Sequence, residues 1–387
     1  MASKFIESRG QSLEKQQFTW REIVQQPFSK LNDDAFSRVR SILMNGIEFE
    51  SVMFQHMLAR ASHDLRPHLA RVRQIEQHQQ KAINWMLPPD QSPLETTIGY
   101  EQVAVEVTAS IAQNEPDPYL AQVYRFGLLE DFDHLYRYSA LLDRLEGKDA
   151  NNLLQSYTDI LPGRPTIEEH RSALDNLRRP YDRRKADPIS KLNVCLITAA
   201  EQQTENYYLN VGPLFSDPVA RQLYAEIASI EEQHVTQYES LMDPDETVLE
   251  KWLLHEATEV YTYRSCLESE SDPRLKKLWD RFHDYELGHL HYVMELFKSI
   301  ENRDPAEVLP EKLPKLLNFG NHRSYVRSVL DAEADLRTNG MDIVKREDEN
   351  PESIAYRNQV NREGSPSQAV AAGYRWIPGT ELNQKIA

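Results

Sequence analysis

A spacing that recurs along this chain constrains its fold more than any other feature. Glu256, Asp272-Pro273, Glu286 and His289 reappear 55 positions earlier as Glu201, Asp217-Pro218, Glu231 and His234, so both sets share spacings of 16, 14 and 3. Moving the later set back by 155 gives Glu101, Asp117-Pro118, Asp131 and His134. A fourth copy is eroded: Glu76 and Gln79 stand where Glu231 and His234 lead, but position 46 is glycine, with Glu48 nearby. Pro89 and Pro244 keep the same 155 offset. Self-similarity at a fixed period means a repeated supersecondary unit. Here that unit is a helical hairpin, duplicated and doubled again.

Apolar residues return every three or four positions over long stretches, and the chain has only 13 glycines in 387 residues. The pattern predicts an all-α fold with helices over 34–60, 65–87, 94–113, 118–146, 189–211, 218–242, 247–268 and 273–300. Each Asp-Pro step suits an N-cap carboxylate followed by proline at the first helical position, where the missing N–H costs nothing. The second helix of the last hairpin carries the seam Leu275, Trp279, Phe282, Glu286, His289, Val293, Leu296, Ile300, and the earlier copy carries Ala220, Tyr224, Ile227, Glu231, His234, Tyr238, Leu241. Steps of four and three place each set on one helix face. Glu and His therefore lie within an apolar stripe. Burying a lone carboxylate there costs about 2–7 kcal/mol or more, so it needs a partner, and a cation is the obvious one. At 1.5 Å per residue, Glu256 and Glu286 stand roughly 20 and 21 Å from their shared turn, and so are level. Two such hairpins packed together bring four Glu and two His to mid-height of a bundle. Carboxylates with two imidazoles suit paired iron or manganese; calcium prefers all-oxygen cages and zinc needs fewer carboxylates.

In this pattern residues 189–300 resemble the ferritin-like di-iron carboxylate proteins, with one Glu from each of two helices and Glu-x-x-His from each of the other two. The resemblance implies two tandem four-helix bundles: 34–146, with a degenerate metal site, and 189–300, with an intact one. It implies Glu201 and Glu256 as terminal ligands, Glu231 and Glu286 as bridges, and His234 and His289 as caps. Glu259 follows Glu256 with the Glu-x-x-Glu spacing of rubrerythrins and becomes a seventh candidate. The rubredoxin domain of typical rubrerythrins has no cysteine pair here to build it. In the earlier half the equivalents are Glu48 (or Glu50), Glu76, Gln79, Glu101, Asp131 and His134. A glutamine replaces one histidine there, an aspartate one glutamate, and the helix of Glu48 is out of register by two. Tyr207, Tyr208, Tyr238, Tyr261, Tyr263, Tyr285 and Tyr292 enrich the bundle, mostly as core. His255, His283 and His291 fall off the seam.

The same resemblance implies a non-haem di-iron oxidoreductase, a peroxidase, ferroxidase or oxygenase, that activates dioxygen or peroxide. Two irons would fill the intact site, with manganese as the other metal, and a partner or small-molecule substrate would supply electrons. Iron or manganese storage, dimanganese catalase chemistry and a metal-stabilised scaffold are the alternatives. With 44 Lys+Arg against 61 Asp+Glu, the formal charge of −17 argues against nucleic-acid binding, which needs a basic surface. No run is long enough for a membrane span, the first forty residues hold no apolar signal core, and two cysteines make no disulfide framework. A cytoplasmic protein is expected, compatible with a homo-oligomer. Outside the bundles lie an arm (1–33) expected on the surface, a connector (147–188) ending in the basic stretch Arg178, Arg179, Arg183, Arg184, Lys185, and an extension (301–387). That extension is expected to hold a helix near 322–338 and an extended or partner-wrapping tail.

Overall fold

In the computed structural model, which describes residues 8–30 and 34–378, every Asp-Pro step of the repeat opens a helix. Asp117 accepts from the amides of Tyr119 (2.8 Å) and Leu120 (3.2 Å), Asp217 from Ala220 (2.8 Å) and Asp272 from Arg274 (2.7 Å). These bonds satisfy N-terminal amides that a helix cannot pair internally. Eight long helices result: α1 (Ala35–Ala61), α2 (Arg66–Asn84), α3 (Pro93–Asn114), α4 (Pro118–Glu146), α5 (Pro188–Val211), α6 (Pro218–Glu239), α7 (Val248–Ser269) and α8 (Pro273–Glu301). Their bounds lie within a few residues of those the periodicity predicts. The chain is all-α apart from one two-stranded hairpin among the described residues.

Consecutive helices pair as α1–α2, α3–α4, α5–α6 and α7–α8. The odd-numbered helices also pack on one another, α1 against α3, α5 and α7, and α5 against α3 and α7. They form a central layer. Residues 35–48 of α1, 97–112 of α3, 190–201 of α5 and 252–263 of α7 are buried without interruption. A helix enclosed on every side belongs at the centre of a core, and one with a polar face belongs outside. α2, α6 and α8 accordingly keep exposed faces. One continuous apolar cluster joins residues of α1, α2, α5, α7 and α8, including Leu43, Leu69, Leu196, Trp252 and Trp279. Gly46 lies at the contact of α1 with α5, where a Cβ would stand 2.6 Å from Gln203 Nε2.

The tandem arrangement is corrected by the side chains that meet. Glu76 of α2 lies beside Glu256 of α7 and Glu286 of α8, whereas Asp131 of α4 lies beside Glu201 of α5 and Glu231 of α6. The first hairpin completes a bundle with the fourth, and the second with the third. Residues 34–146 and 189–300 each supply one half of two bundles.

The connector packs over α4 and α6. Arg178 is buried, donating to Gln237 and to the carbonyls of Asp175 and Leu177, and Arg183 pairs with Glu250, so the basic stretch is salt-bridged and hydrogen-bonded. The expected extended tail is also corrected, since its described part folds back onto the chain. α9 (Arg323–Glu333) is followed by β1 (Leu336–Asn339) and β2 (Asp342–Lys345), antiparallel with Leu336 opposite Lys345, then α10 (Pro351–Val360) and α11 (Pro366–Ala371). Ser367 N donates to Glu226 (2.7 Å), Tyr136 OH to the Tyr374 carbonyl (2.9 Å) and Trp376 to Asp149 (3.1 Å). Those bonds and buried Val370 make the segment a strap. The ends of the arm and tail, 1–7, 31–33 and 379–387, lie outside the described residues. Among the described residues no helix is long and apolar enough to cross a membrane.

Candidate metal centres

The bundle of α3, α4, α5 and α6 gathers Glu101, Asp131, His134, Glu201, Glu231 and His234, each at most 1 % exposed. Glu231 lies between the two imidazoles: its Oε1 is 3.0 Å from His134 Nδ1, and its Oε2 is 3.1 Å from His234 Nδ1. Asp131 Oδ1 is 3.3 Å and Glu201 Oε2 3.8 Å from the same His234 nitrogen. Two sets of ligand atoms form, each within 4.8 Å: Asp131, Glu201, Glu231 and His234, and Glu101, His134 and Glu231. Glu231 is common to both.

Each imidazole is held from behind. His134 Nε2 lies 2.8 Å from Glu169 of the connector, and His234 Nε2 lies 2.8 Å from Glu130 of α4. Arg171 (2.5 Å) and Arg164 (3.2 Å) clamp Glu130 in turn. A carboxylate on the far nitrogen fixes the ring and leaves Nδ1 as the ligating atom, the usual outer arrangement of a metal-bound histidine. Tyr208 OH donates to Glu101. Both oxygens of Asp131, both of Glu201 and Glu101 Oε2 are buried without a hydrogen-bond partner.

The second bundle, α1, α2, α7 and α8, gathers Glu48, Glu76, Gln79, Glu256, Glu259, Glu286 and His289, also at most 1 % exposed. His289 Nδ1 is 3.0 Å from Glu286 Oε2, 3.8 Å from Glu76 Oε1 and 3.9 Å from Glu256 Oε2. Its Nε2 lies 2.7 Å from the Gln16 amide oxygen, on the N-terminal arm. Gln79 Nε2 donates to Glu48 (3.1 Å) and Glu286 (2.6 Å), Tyr263 OH to Glu48, and Trp252 Nε1 to Glu256 (2.6 Å). Glu48 Oε2, Glu76 Oε1, Glu256 Oε2 and both oxygens of Glu259 have no partner. Glu50 stands outside this cluster, 3.0 Å from His255.

Burial and mutual repulsion dominate the electrostatics of both clusters. Burial holds Glu101, Asp131, Glu48, Glu256 and Glu259 well above the usual carboxylate range, each reinforced by neighbouring carboxylates. Burial likewise lifts Glu201 to about 7 and Glu76 to about 8. At Glu231 burial acts upward too, but hydrogen bonds from His134 and His234 outweigh it and bring the group to about 2. Burial alone would depress both histidines, yet Glu169 on one side and Asp131 on the other carry them well above their ordinary value. Buried carboxylates with imidazole nitrogens are a hard, mixed O/N donor set. Both clusters could hold a metal ion.

The single site expected within residues 189–300 is not formed. Glu201, Glu231 and His234 fall in the first cluster; Glu256, Glu259, Glu286 and His289 fall in the second, because α5–α6 and α7–α8 each face a hairpin of the earlier half. For the same reason the first half is not a separate, degenerate site. Glu101, Asp131 and His134 complete the set around Glu231, and Glu48, Glu76 and Gln79 complete the other. Glu130, Glu169 and Gln16 escaped the repeat because none recurs at its offsets. The acidic pair Glu130-Asp131 inside a buried helix was the one available signal. Cavities of about 520 and 530 Å³ lie elsewhere, the first lined by Phe54, Cys195 and His255, the second by His170, Tyr356 and Ser365; no cluster side chain lines either. Comparison with known proteins finds no matching family model, curated protein or solved structure, so these clusters are interpreted from their own geometry.

Proposed function

We propose that this chain is a non-haem oxidoreductase whose six-residue cluster holds a pair of iron or manganese ions and reacts with dioxygen or peroxide. One observation carries the proposal: Glu231 presents one oxygen to His134 Nδ1 and the other to His234 Nδ1, the position of a carboxylate bridging two ions. Asp131 and Glu201 would complete the ion on the His234 side, and Glu101 the ion on the His134 side. The resemblance to ferritin-like carboxylate proteins supports the same assignment. When bound, the metals supply a two-electron couple for reducing the oxidant.

The chain's own residues prepare that chemistry. Glu130 and Glu169 orient the imidazoles with Nδ1 toward the cluster, and Tyr208 fixes Glu101 by donating its hydroxyl proton. Tyr238 packs beside His234, its ring 6.2 Å away and its hydroxyl without a partner. All six ligands are buried, which favours a small oxidant over a bulky organic substrate at the centre itself. Electrons would come from a partner protein or a small donor.

The test loads the protein with iron or manganese, measures metal per chain, and follows reoxidation of the reduced protein by dioxygen or peroxide. Two ions lost in Glu231→Ala, together with rapid turnover in the wild type, is the expected result. Accumulation of many irons per chain would indicate a store instead. A bound pair inert to both oxidants would leave a scaffold.

A further inference from the structure

The two clusters are not copies of one another, and their difference lies at one residue. Positions 131 and 134, 231 and 234, and 286 and 289 each place a carboxylate and a histidine three residues apart; at 76 and 79 the histidine is Gln79. In the first cluster two imidazoles flank the shared Glu231. In the second, Glu286 turns one oxygen to His289 and the other to the Gln79 amide, whose nitrogen also donates to Glu48.

We infer that the second cluster takes a single divalent cation, manganese or ferrous iron, held by Glu76, Glu256, Glu286 and His289, while the amide of Gln79 fills the place of a second. This rests on the reading of the first cluster as a dinuclear centre. The four ligand atoms lie within 4.8 Å of one another, and no second grouping of carboxylate and imidazole atoms occurs in this bundle among the described residues. Glu76 Oε1 and Glu256 Oε2 are fully buried and unpartnered, directed at the same point as His289 Nδ1. At Glu48, by contrast, Gln79 and Tyr263 both donate to Oε1, which is satisfied without metal, while only Oε2 lacks a partner. Donation by an amide N–H₂ to two carboxylates does locally what a bridging cation would do, and the two cannot share the space. The outer partner differs as well: His289 is backed by the neutral Gln16, not by a carboxylate. A single ion here lacks the paired neighbour proposed for the first cluster. Its role is to join α2, α7 and α8, with the N-terminal arm closing the centre through Gln16.

The experiment loads the full chain with Mn(II), counts metal by elemental analysis and records electron paramagnetic resonance. Three ions per chain are expected, one giving the hyperfine-resolved signal of an isolated Mn(II) and two being spin-coupled. His289→Ala should lower the count to two and remove the isolated signal, leaving the coupled pair. His134→Ala with His234→Ala should leave one ion and the isolated signal alone. Gln79→His should raise the count to four and convert the isolated signal into a second coupled one. A wild-type count of four, or of two with no isolated signal, overturns the inference, as does Gln79→His remaining at three. Loss of the coupled pair with the isolated signal intact would instead refute the dinuclear reading, so the two failures are distinguishable.

Discussion

The two oxygens of Glu231 lie 3.0 and 3.1 Å from His134 Nδ1 and His234 Nδ1, while the oxygens of Asp131 across from it have no hydrogen-bond partner. Both residues belong to the same set around His234, and both are needed. Glu231→Ala and Asp131→Ala are therefore expected to abolish tight metal binding at the first centre to a similar degree, measured by metal titration. A much smaller effect of Asp131→Ala would return that residue to a degenerate site. Glu130→Gln and Glu169→Gln keep every ligand but weaken the hold on one imidazole, and should each lower metal affinity by about 10–100-fold. The metal-free protein carries a second signature. Glu76, at about 8, and Glu201, at about 7, lie above the ordinary carboxylate value of 4.5 that they regain on unfolding. At these two groups the folded chain thus binds more protons between 4.5 and 8, so their contribution to stability falls as pH rises through 7 to 8. Chemical denaturation of metal-free protein at pH 5.5 and pH 8 checks the sign, and greater stability at pH 8 would contradict it. Metal affinity should run the other way, rising with pH as protons leave the ligands. At this scale the sequence was informative wherever residues repeat: every candidate ligand lies in one cluster or the other, except Glu50, the alternative to Glu48, which pairs with His255 instead. Glu169 and Gln16 lie in segments with no periodic signal, and only the folded chain brings them to an imidazole.

Among the elements, the helices and their Asp-Pro starts were legible because capping and apolar period are local properties. The N-terminal arm was not. It reads as polar surface, yet Gln16 is buried because the arm lies against α8 through close backbone contacts. Gln11 N donates to the Asp284 carbonyl (3.0 Å), and a Cβ on Gly288 would stand 1.9 Å from the Gln11 carbonyl oxygen. Gly10, at φ +56°, makes the turn that leads into this contact. Gly288→Ala should push the arm away, destabilising the protein by about 1–3 kcal/mol, as overpacking does. Because Gln16 then leaves His289, the second centre should bind metal more weakly while the first is unchanged. Thermal melts and site-resolved metal binding test the two parts.

For the molecule as a whole, which hairpins pair was not legible. Three carry the same seam at the same height and the first an eroded copy of it, so any two would converge carboxylates, and spacing alone cannot choose. The choice follows from the contacts among α1, α3, α5 and α7, which make those four helices one central layer and leave their partners to close a bundle on either side. A fragment of residues 189–300 should accordingly show no cooperative melt, since each of its hairpins has lost the partner that covers it; a cooperative fragment holding two ions would restore the tandem arrangement. The central claim, that each metal centre is drawn from both halves of the chain, is tested most directly by anomalous diffraction from crystals of manganese- or iron-loaded protein. Two peaks should flank Glu231, one contacted by His134 and the other by His234. An ion shared between Glu231 and Glu286, or no peak beside Glu231 at all, would contradict it.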